Sequence, residues 1–263
     1  MSLLEVDALS VHFGAVRACD GIDLAFEEGD LTAVVGPNGS GKTTLFRAIC
    51  GDVKPAGGTV RWRGRDITGW TTDRIARAGL VRTFQQSMAF SSETVADNLR
   101  MAAACMRGLS LSRITDTAAR PDLPESADDI LDFTGLAEVA GVPASSLPTG
   151  ILRLVGIALT LAIRPVMLML DEPAAGLNIE ESRRLSDLLR RVHGAGVTLV
   201  VVDHDMSFIL PLARRLVVLD TGRKLIEGDP EVVRRHEDVV RVYLGDRFAH
   251  GKSGDGGARV ATS

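Results

Sequence analysis

The hydrophobic positions near the start of the chain predict short strands followed by a helix. Residues 3–13 and 21–26 have the apolar content of β-strands. Residues 31–35 form a short apolar run that stops at Gly-Pro-Asn-Gly, a strong break in regular structure. Residues 41–50 then place Leu45, Ala48 and Ile49 at helical spacing.

The next segment has the alternation of a hairpin strand. In residues 58–66, Val60 and Trp62 alternate with arginines, and the run closes on Gly-Arg-Asp. Alternating apolar and polar positions indicate a strand with one solvated face. We therefore expect an exposed hairpin strand that ends in a turn at residues 64–66.

The pattern becomes helical over residues 87–164. Capping residues stand before 95–106 and before 127–133, where alanine and leucine dominate. Residues 107–124 lack this pattern and are predicted to form a loop. The whole segment is therefore predicted to be a helical insertion.

Uninterrupted apolar runs return in the second half. Residues 166–170 and 197–202 are continuous β-branched or apolar runs, which suit parallel strands covered on both faces. An amphipathic helix is predicted between them at 180–192. A last strand at 215–219 and a closing helix at 231–244 complete a single predicted domain over 1–248, with a disordered Gly/Ser/Ala-rich tail at 249–263.

Composition narrows the possible classes of protein. The chain has 263 residues, 30 of them basic and 34 acidic, for a net charge of -4. This balance argues against a protein that coats nucleic acid. Three scattered cysteines are too few for a disulfide framework. No apolar run approaches the roughly 18 residues that a spanning helix needs, so we expect a cytosolic chain that does not cross a membrane by itself.

Residues 36–43 carry the clearest chemistry. They match G-x-x-x-x-G-K-[ST], and Gly39 adds a further glycine. Glycines let successive backbone N–H groups point at an anion, and the helix that follows adds its positive end. Lys42 is then expected to reach the β- and γ-phosphates, and the Thr43 hydroxyl to bind Mg²⁺.

Two carboxylates, Asp171 and Glu172, directly follow the predicted strand at 166–170. Ligands of open α/β sheets bind at the carboxyl ends of the strands. Asp171 is expected to hold Mg²⁺, and Glu172 to polarise a water for attack on the γ-phosphate. The alternative is a solvated pair of acidic residues at a strand end.

Three further residues are weaker candidates when each is taken alone. His204 follows the strand at 197–202 and is placed on the same sheet edge as Glu172, where it can contact a γ-phosphate. Gln85 suits a sensor of Mg²⁺ or water, but alone it fits an ordinary surface position better. Phe13 suits stacking on adenine, but alone it fits a core position better.

Together these motifs resemble the ATP-binding subunit of ABC transporters over about residues 3–245. The resemblance covers the Walker A motif at 36–44, the Q-loop at Gln85, the Walker B motif at 168–172, the D-loop at 175–178 and the switch histidine, His204. It implies an α/β fold: a P-loop ABC ATPase with a mixed sheet core, an antiparallel β subdomain and an inserted helical subdomain. It also implies ATP and Mg²⁺ as cofactors.

The resemblance assigns roles to particular residues. Glu172, His204 and Gln85 are implied to be catalytic, and Thr43, Gln85 and Asp171 to bind the metal. The residues implied to bind ATP are Phe13, Gly36, Pro37, Asn38, Gly39, Ser40, Gly41, Lys42, Thr43 and Thr44.

A narrower resemblance points to the branched-chain amino-acid uptake subfamily. It rests on residues 13–18, 81–85, 170–178, 204–206 and 242–245. In that subfamily two related ATPase subunits pair beneath two membrane permease subunits, at the cytoplasmic face of the membrane, and an external binding protein delivers the solute. Relatives that move urea, amides or other small polar solutes share much of the pattern.

The chain departs from the family at its signature motif, Leu-Ser-Gly-Gly-Gln. The corresponding residues are Leu147, Pro148, Thr149, Gly150 and Ile151. Proline brings neither a hydroxyl nor an N–H group. Losing one hydrogen bond to a charged group costs roughly 1.5–3 kcal/mol. The resemblance therefore implies a degenerate signature.

Several functional hypotheses follow. In the first, the chain forms one half of a heterodimer and combines its complete Walker motifs with a partner's normal signature. A weakened homodimer is the simpler alternative. A regulatory, weakly active nucleotide-binding subunit and a soluble ABC ATPase outside transport are the rivals from other classes.

Overall fold

A computed structural model describes residues 2–83, 89–107 and 121–250, with the side chains of 105–107 and 244–250 excluded. Among these residues, one sheet contains six strands in the order β10-β9-β3-β8-β7-β6. The other sheet contains four strands in the order β2-β1-β4-β5. The chain is thus an α/β protein built on two sheets.

The larger sheet is mixed. Its strands are β3 (Leu31–Val35), β6 (Leu80–Arg82), β7 (Met167–Asp171), β8 (Thr198–Val202), β9 (Arg215–Asp220) and β10 (Arg223–Gly228). All pair in parallel except β10, which runs antiparallel to β9 at the edge. Every residue of β3, β7 and β8 is buried, as the continuous apolar runs predict.

The second sheet is antiparallel. Its strands are β1 (Ser2–Phe13), β2 (Val16–Glu27), β4 (Gly57–Trp62) and β5 (Arg65–Asp66). Val60 and Trp62 are buried, so one face of the hairpin strand packs inward and only the arginine face is solvated. The turn predicted at 64–66 is wrong by two residues, because Arg65 and Asp66 pair with β4.

Helices follow the strands and cover the larger sheet. They are α1 (Lys42–Ile49), α2 (Thr72–Arg77), α3 (Val95–Arg107), α4 (Ala127–Thr134), α5 (Thr149–Leu161), α6 (Ile179–Gly194), α7 (Met206–Ile209), α8 (Pro230–Val233) and α9 (Glu237–His250). The helical insertion predicted at 87–164 thus contains α3, α4 and α5. A capping box in which Asn178 and Glu181 exchange hydrogen bonds begins α6.

The alternation of side chains divides the core between the two faces of the larger sheet. Leu168 and Leu170 of β7 pack with helices α3 to α6. Met167 and Met169 face the other way, toward α1 and the antiparallel sheet. The loops at the carboxyl ends of β3, β7 and β8 therefore emerge from a sheet that is covered on both sides.

The end of the chain differs from the expectation. The predicted helix 231–244 is two helices, α8 and α9, because α8 ends at Val233 and a turn at Arg234 and Arg235 precedes the start of α9 at Glu237. Helix α9 reaches His250, two residues into the predicted tail, and 251–263 lie outside the described residues. Within the described ranges no helix is long and apolar enough to span a bilayer.

Candidate nucleotide-binding site

The loop between β3 and α1 has the backbone of a phosphate cradle. Gly36, Gly39 and Gly41 have φ values of 152°, 81° and 99°, which non-glycine residues rarely adopt. A Cβ on Gly36 would lie 2.2 Å from the Leu219 carbonyl oxygen. A Cβ on Gly41 would lie 2.3 Å from the Ala18 carbonyl oxygen. Neither position has room for a side chain.

Lys42 lies inside this cradle. Its ammonium donates hydrogen bonds to the carbonyl oxygens of Gly36 at 2.8 Å and Pro37 at 2.9 Å, and to Ser40 Oγ at 3.4 Å. The side chain is buried, and burying an ammonium is costly unless it is well hydrogen-bonded. The loop thus holds a positive charge at its centre.

Asp171 and Thr43 bring oxygen ligands together from two elements. Thr43 Oγ1, in the first turn of α1, donates to Asp171 Oδ1 at 3.4 Å. Asp171 Oδ2 accepts from Arg82 Nη2 at 2.8 Å, so each carboxylate oxygen has a different neighbour. A hydroxyl and one carboxylate are the protein ligands with which Mg²⁺ commonly binds beside phosphates.

The residues present fit both cofactors. The glycine backbone and Lys42 suit a polyphosphate, and Thr43 with Asp171 suits a hard cation next to it. Within the described ranges no group of three or more His, Cys, Asp and Glu side chains could hold a metal.

Glu172 and His204 lie at neighbouring strand ends. The Glu172 N–H donates to the Val202 carbonyl at 2.8 Å, and Glu172 has a left-handed φ of 47°. His204 Nδ1 lies 4.0 Å from Glu172 Oε1. Both side chains are accessible, as groups that act on a bound ligand must be.

Asp203 is buried beside this site and the side chain of Arg82 is 9% exposed. The sequence alone assigns no task to either residue. Arg82 bridges Asp171 and Asp52, with Nη1 2.6 Å from Asp52 Oδ2. Asp203 accepts backbone N–H groups from Ala174, His204 and Asp205. A charged residue at the end of a buried run was the available signal for each, but both partners of Arg82 and the Ala174 donor to Asp203 lie far away in sequence.

The first β-hairpin places Phe13 on the surface. Phe13 pairs with Val16 across the turn and is 50% exposed. The core position that suits Phe13 taken alone is therefore wrong. Two residues after Val16 in strand β2, Ala18 contacts the phosphate loop at Gly41. Gln85 lies outside the described residues.

Segment 147–151 lies at the start of α5. Pro148 is the N-cap, and its side chain makes no capping hydrogen bond. Gly150 is buried, and a Cβ there would lie 2.2 Å from Glu181 Oε1 at the start of α6. Ile151 packs against the helical side of the core. The structure thus places this segment at the first turn of α5, in the helical region.

These features define a P-loop nucleotide-binding protein. A glycine loop that ends in Lys-Thr joins a strand to a helix, and an Asp-Glu pair stands at the end of another parallel strand of the same sheet. A family model described as ABC transporter matches residues 19–175. A model for the branched-chain amino acid ATP-binding cassette transporter matches 223–249. The chain belongs to the ABC transporter family, as an ATP-binding subunit of its branched-chain amino acid group.

Curated relatives agree over nearly the full length. LivG of Salmonella typhimurium, a high-affinity branched-chain amino acid transport ATP-binding protein, is 37% identical, covering 93% of this chain and 98% of LivG. BraF of Pseudomonas aeruginosa has the same description and is 35% identical, covering 93% of this chain and 98% of BraF.

Solved structures agree with the fold. The ADP conformation of MJ1267, an ATP-binding cassette of an ABC transporter, has a TM-score of 0.81 and 29% identity, covering 93% of this chain and 99% of MJ1267. CbiO1 from Clostridium perfringens, part of an ABC transporter complex, has a TM-score of 0.75 and 25% identity, covering 95% and 99%. The fold class predicted from the motifs is confirmed, and the protein is an ABC-type ATPase.

Proposed function

We propose that this chain hydrolyses ATP to power an importer of branched-chain amino acids or a related small polar solute. The observation that carries the proposal is the meeting of Lys42, Thr43, Asp171, Glu172 and His204 at one edge of the larger sheet. The printed names of LivG and BraF supply the solute class.

Each of these residues has a defined task in hydrolysis. Lys42 and the loop N–H groups bind the phosphates, and Thr43 with Asp171 would hold Mg²⁺, which would neutralise phosphate charge. Glu172 accepts the proton of the attacking water. His204 contacts the γ-phosphate from the neighbouring strand. Phe13 stacks on adenine, and Gln85 senses the metal or the water.

We further propose that residues 1–248 form one ATPase domain that works in a dimer at the cytoplasmic face of the membrane. Its partners are a second homologous ATPase subunit, two membrane permease subunits and, indirectly, an extracytoplasmic solute-binding protein. No role with nucleic acid is proposed, because the surface charge is balanced by exposed Arg–Asp and Arg–Glu pairs such as Arg190–Asp187.

The start of α5 favours a heterodimer. The first N–H groups of a helix need acceptors, and Pro148 supplies no side-chain oxygen to them. Ile151 packs against the core, and its apolar side chain cannot hydrogen-bond a nucleotide. This chain therefore brings a complete set of Walker residues and an impaired signature to the pair.

The test is ATP hydrolysis by the chain alone and mixed with its candidate partner subunit. We expect low activity alone and a large increase on mixing, which disappears when this chain carries Glu172→Gln. Ordinary cooperative hydrolysis by the chain alone would contradict the heterodimer and favour a homodimer. Unchanged transport with Glu172→Gln would instead favour a regulatory subunit.

A further inference from the structure

Asp203 is a buried carboxylate at the end of β8 with no part in the chemistry described above. Its side chain is 1% exposed. A carboxylate can only accept hydrogen bonds, so its place is fixed by the donors around it. These donors are backbone N–H groups, with His204 Nδ1 3.6 Å from Asp203 Oδ1.

The donors come from two different loops. Oδ1 accepts from the N–H groups of His204 at 2.8 Å and Asp205 at 3.0 Å. Oδ2 accepts from the Ala174 N–H at 3.2 Å. The first two belong to the loop that carries His204, and the third to the segment that follows Glu172. One side chain therefore joins the loops that carry both candidate catalytic groups.

Neighbouring contacts reinforce this link. The Glu172 N–H donates to the Val202 carbonyl at 2.8 Å, one residue before Asp203. On the far side, Arg153 Nη2 of α5 donates to the Ala175 carbonyl at 3.3 Å. The segment after Glu172 is thus held between Asp203 and helix α5, whose first turn contains residues 149–151 of the signature.

We propose that Asp203 is a positioning residue that keeps the His204 loop and the segment after Glu172 in one arrangement. Hydrogen bonds from N–H groups to a buried carboxylate are strong, so the two loops move together. The consequence for catalysis rests on the proposed function, whereas the coupling of the loops rests on the hydrogen bonds alone. Asp203 has no contact with the phosphate loop in its hydrogen bonds.

The test is Asp203→Asn in the full chain. Asparagine has the same size but only one acceptor oxygen, so at least one of the two loops loses its acceptor. We expect hydrogen exchange of Ala174, or of His204 and Asp205, to accelerate about tenfold or more. In the mixture with the partner subunit, kcat is expected to fall about tenfold while KM for ATP stays within about twofold.

Asp205→Asn is the matched control. Asp205 Oδ1 accepts from the N–H and Oγ groups of Ser207 and joins no second loop, so Ala174 exchange should stay as in the wild type. Unchanged exchange and unchanged kcat in Asp203→Asn would overturn the proposal.

A measurement on the wild type covers the case in which Asp203→Asn does not fold. Because one carboxylate holds all three N–H groups, Ala174, His204 and Asp205 should show one common protection factor after their intrinsic exchange rates are divided out. A separation of Ala174 from the other two by more than about tenfold would contradict the coupling. Absence of ATP hydrolysis by the wild-type pair would contradict the proposed function and leave this exchange result standing.

Discussion

At the scale of single residues, Arg82 shows how the Asp171 carboxylate, proposed to hold Mg²⁺, is kept in a buried place. Its guanidinium lies between Asp171 and Asp52, and the Asp171 side chain is fully buried. Removing one partner of a buried ion pair leaves an uncompensated charge, which costs far more than an exposed pair contributes.

Arg82→Met is therefore expected to lower the free energy of unfolding by about 3–5 kcal/mol. Urea denaturation followed by circular dichroism measures it. Arg61→Met, which removes an exposed pair with Asp7, is the control and should cost at most about 1 kcal/mol. Equal losses in the two variants would show that the Arg82 pair contributes no more than a surface contact.

The burial of Phe13 differs from the expectation, because its side chain alone fits a core position but is 50% exposed in the structure. An aromatic ring that is half exposed is free to stack on a base, and such stacking contributes about 1–3 kcal/mol. Phe13→Ala should weaken ATP binding by about 5- to 150-fold in a calorimetric titration.

Inorganic triphosphate separates stacking from other losses. It lacks a base, so its binding should be the same in Phe13→Ala and the wild type. Val16→Ala, the exposed neighbour across the hairpin, should leave both ligands unaffected. A loss of triphosphate affinity in Phe13→Ala would indicate damage to the loop instead.

At the scale of elements, the sequence predicts those strands, helices and loops whose residue pattern lies within a few consecutive positions. The buried strands β3, β7 and β8 each occupy a continuous apolar run, and the cradle follows from glycines within a few residues of Lys42. Strand β10 could not be predicted in this way. Its sequence is largely polar, and it forms because it pairs with β9 at an edge.

Contacts between residues distant in sequence likewise limit what can be predicted of the candidate nucleotide-binding site. Asp171, Glu172 and His204 were found because each ends an apolar run, whereas the tasks of Arg82 and Asp203 depend on partners from distant segments. Ala174 lies 29 positions before Asp203. No local pattern shows which backbone N–H groups a carboxylate will meet.

Helix α5 offers a test at this scale. Pro148→Ser supplies the missing N-cap oxygen, which contributes about 0.5–2 kcal/mol and restores a hydroxyl to the signature. We expect a higher melting temperature and an increase of about tenfold in ATP hydrolysis by the chain alone.

Pro143→Ser is the matched control for that variant. Pro143 is also an N-cap without a capping hydrogen bond, before the 3-10 helix Ala144–Ser146, and it lies outside the signature. It should not raise hydrolysis. If both serine variants behave alike, the proline is not what limits the signature.

At the scale of the whole molecule, the apolar core on both faces of the larger sheet keeps reagents in solution away from buried side chains. Cys50 is buried between α1 and β7, with Sγ 3.6 Å from Met169 Sδ, and burial raises the pKa of its thiol to about 12. The thiolate is the reactive form, so folding should protect Cys50 from alkylation.

The same pKa predicts how stability depends on pH. Above an ordinary thiol pKa of 9.0, the unfolded chain releases the Cys50 proton while the folded chain keeps it. The free energy of unfolding should therefore fall as pH rises from about 9 toward 12, by about 1.4 kcal/mol per pH unit for this thiol. Cys50→Ala should reduce that slope, as measured by urea denaturation across this range; an unchanged slope would contradict the prediction.

The contacts of the phosphate cradle have a consequence for genetics. Gly36 lies against the Leu219 carbonyl, Gly41 against the Ala18 carbonyl, and the Gly222 N–H donates to the Ser40 carbonyl at 3.1 Å. The cradle is therefore built from three stretches of sequence, of which the glycine motif is only one. In a selection for growth on the transported solute, inactivating alleles that act on the cradle should map to three separate places in the gene, around codons 18, 36–43 and 219–222.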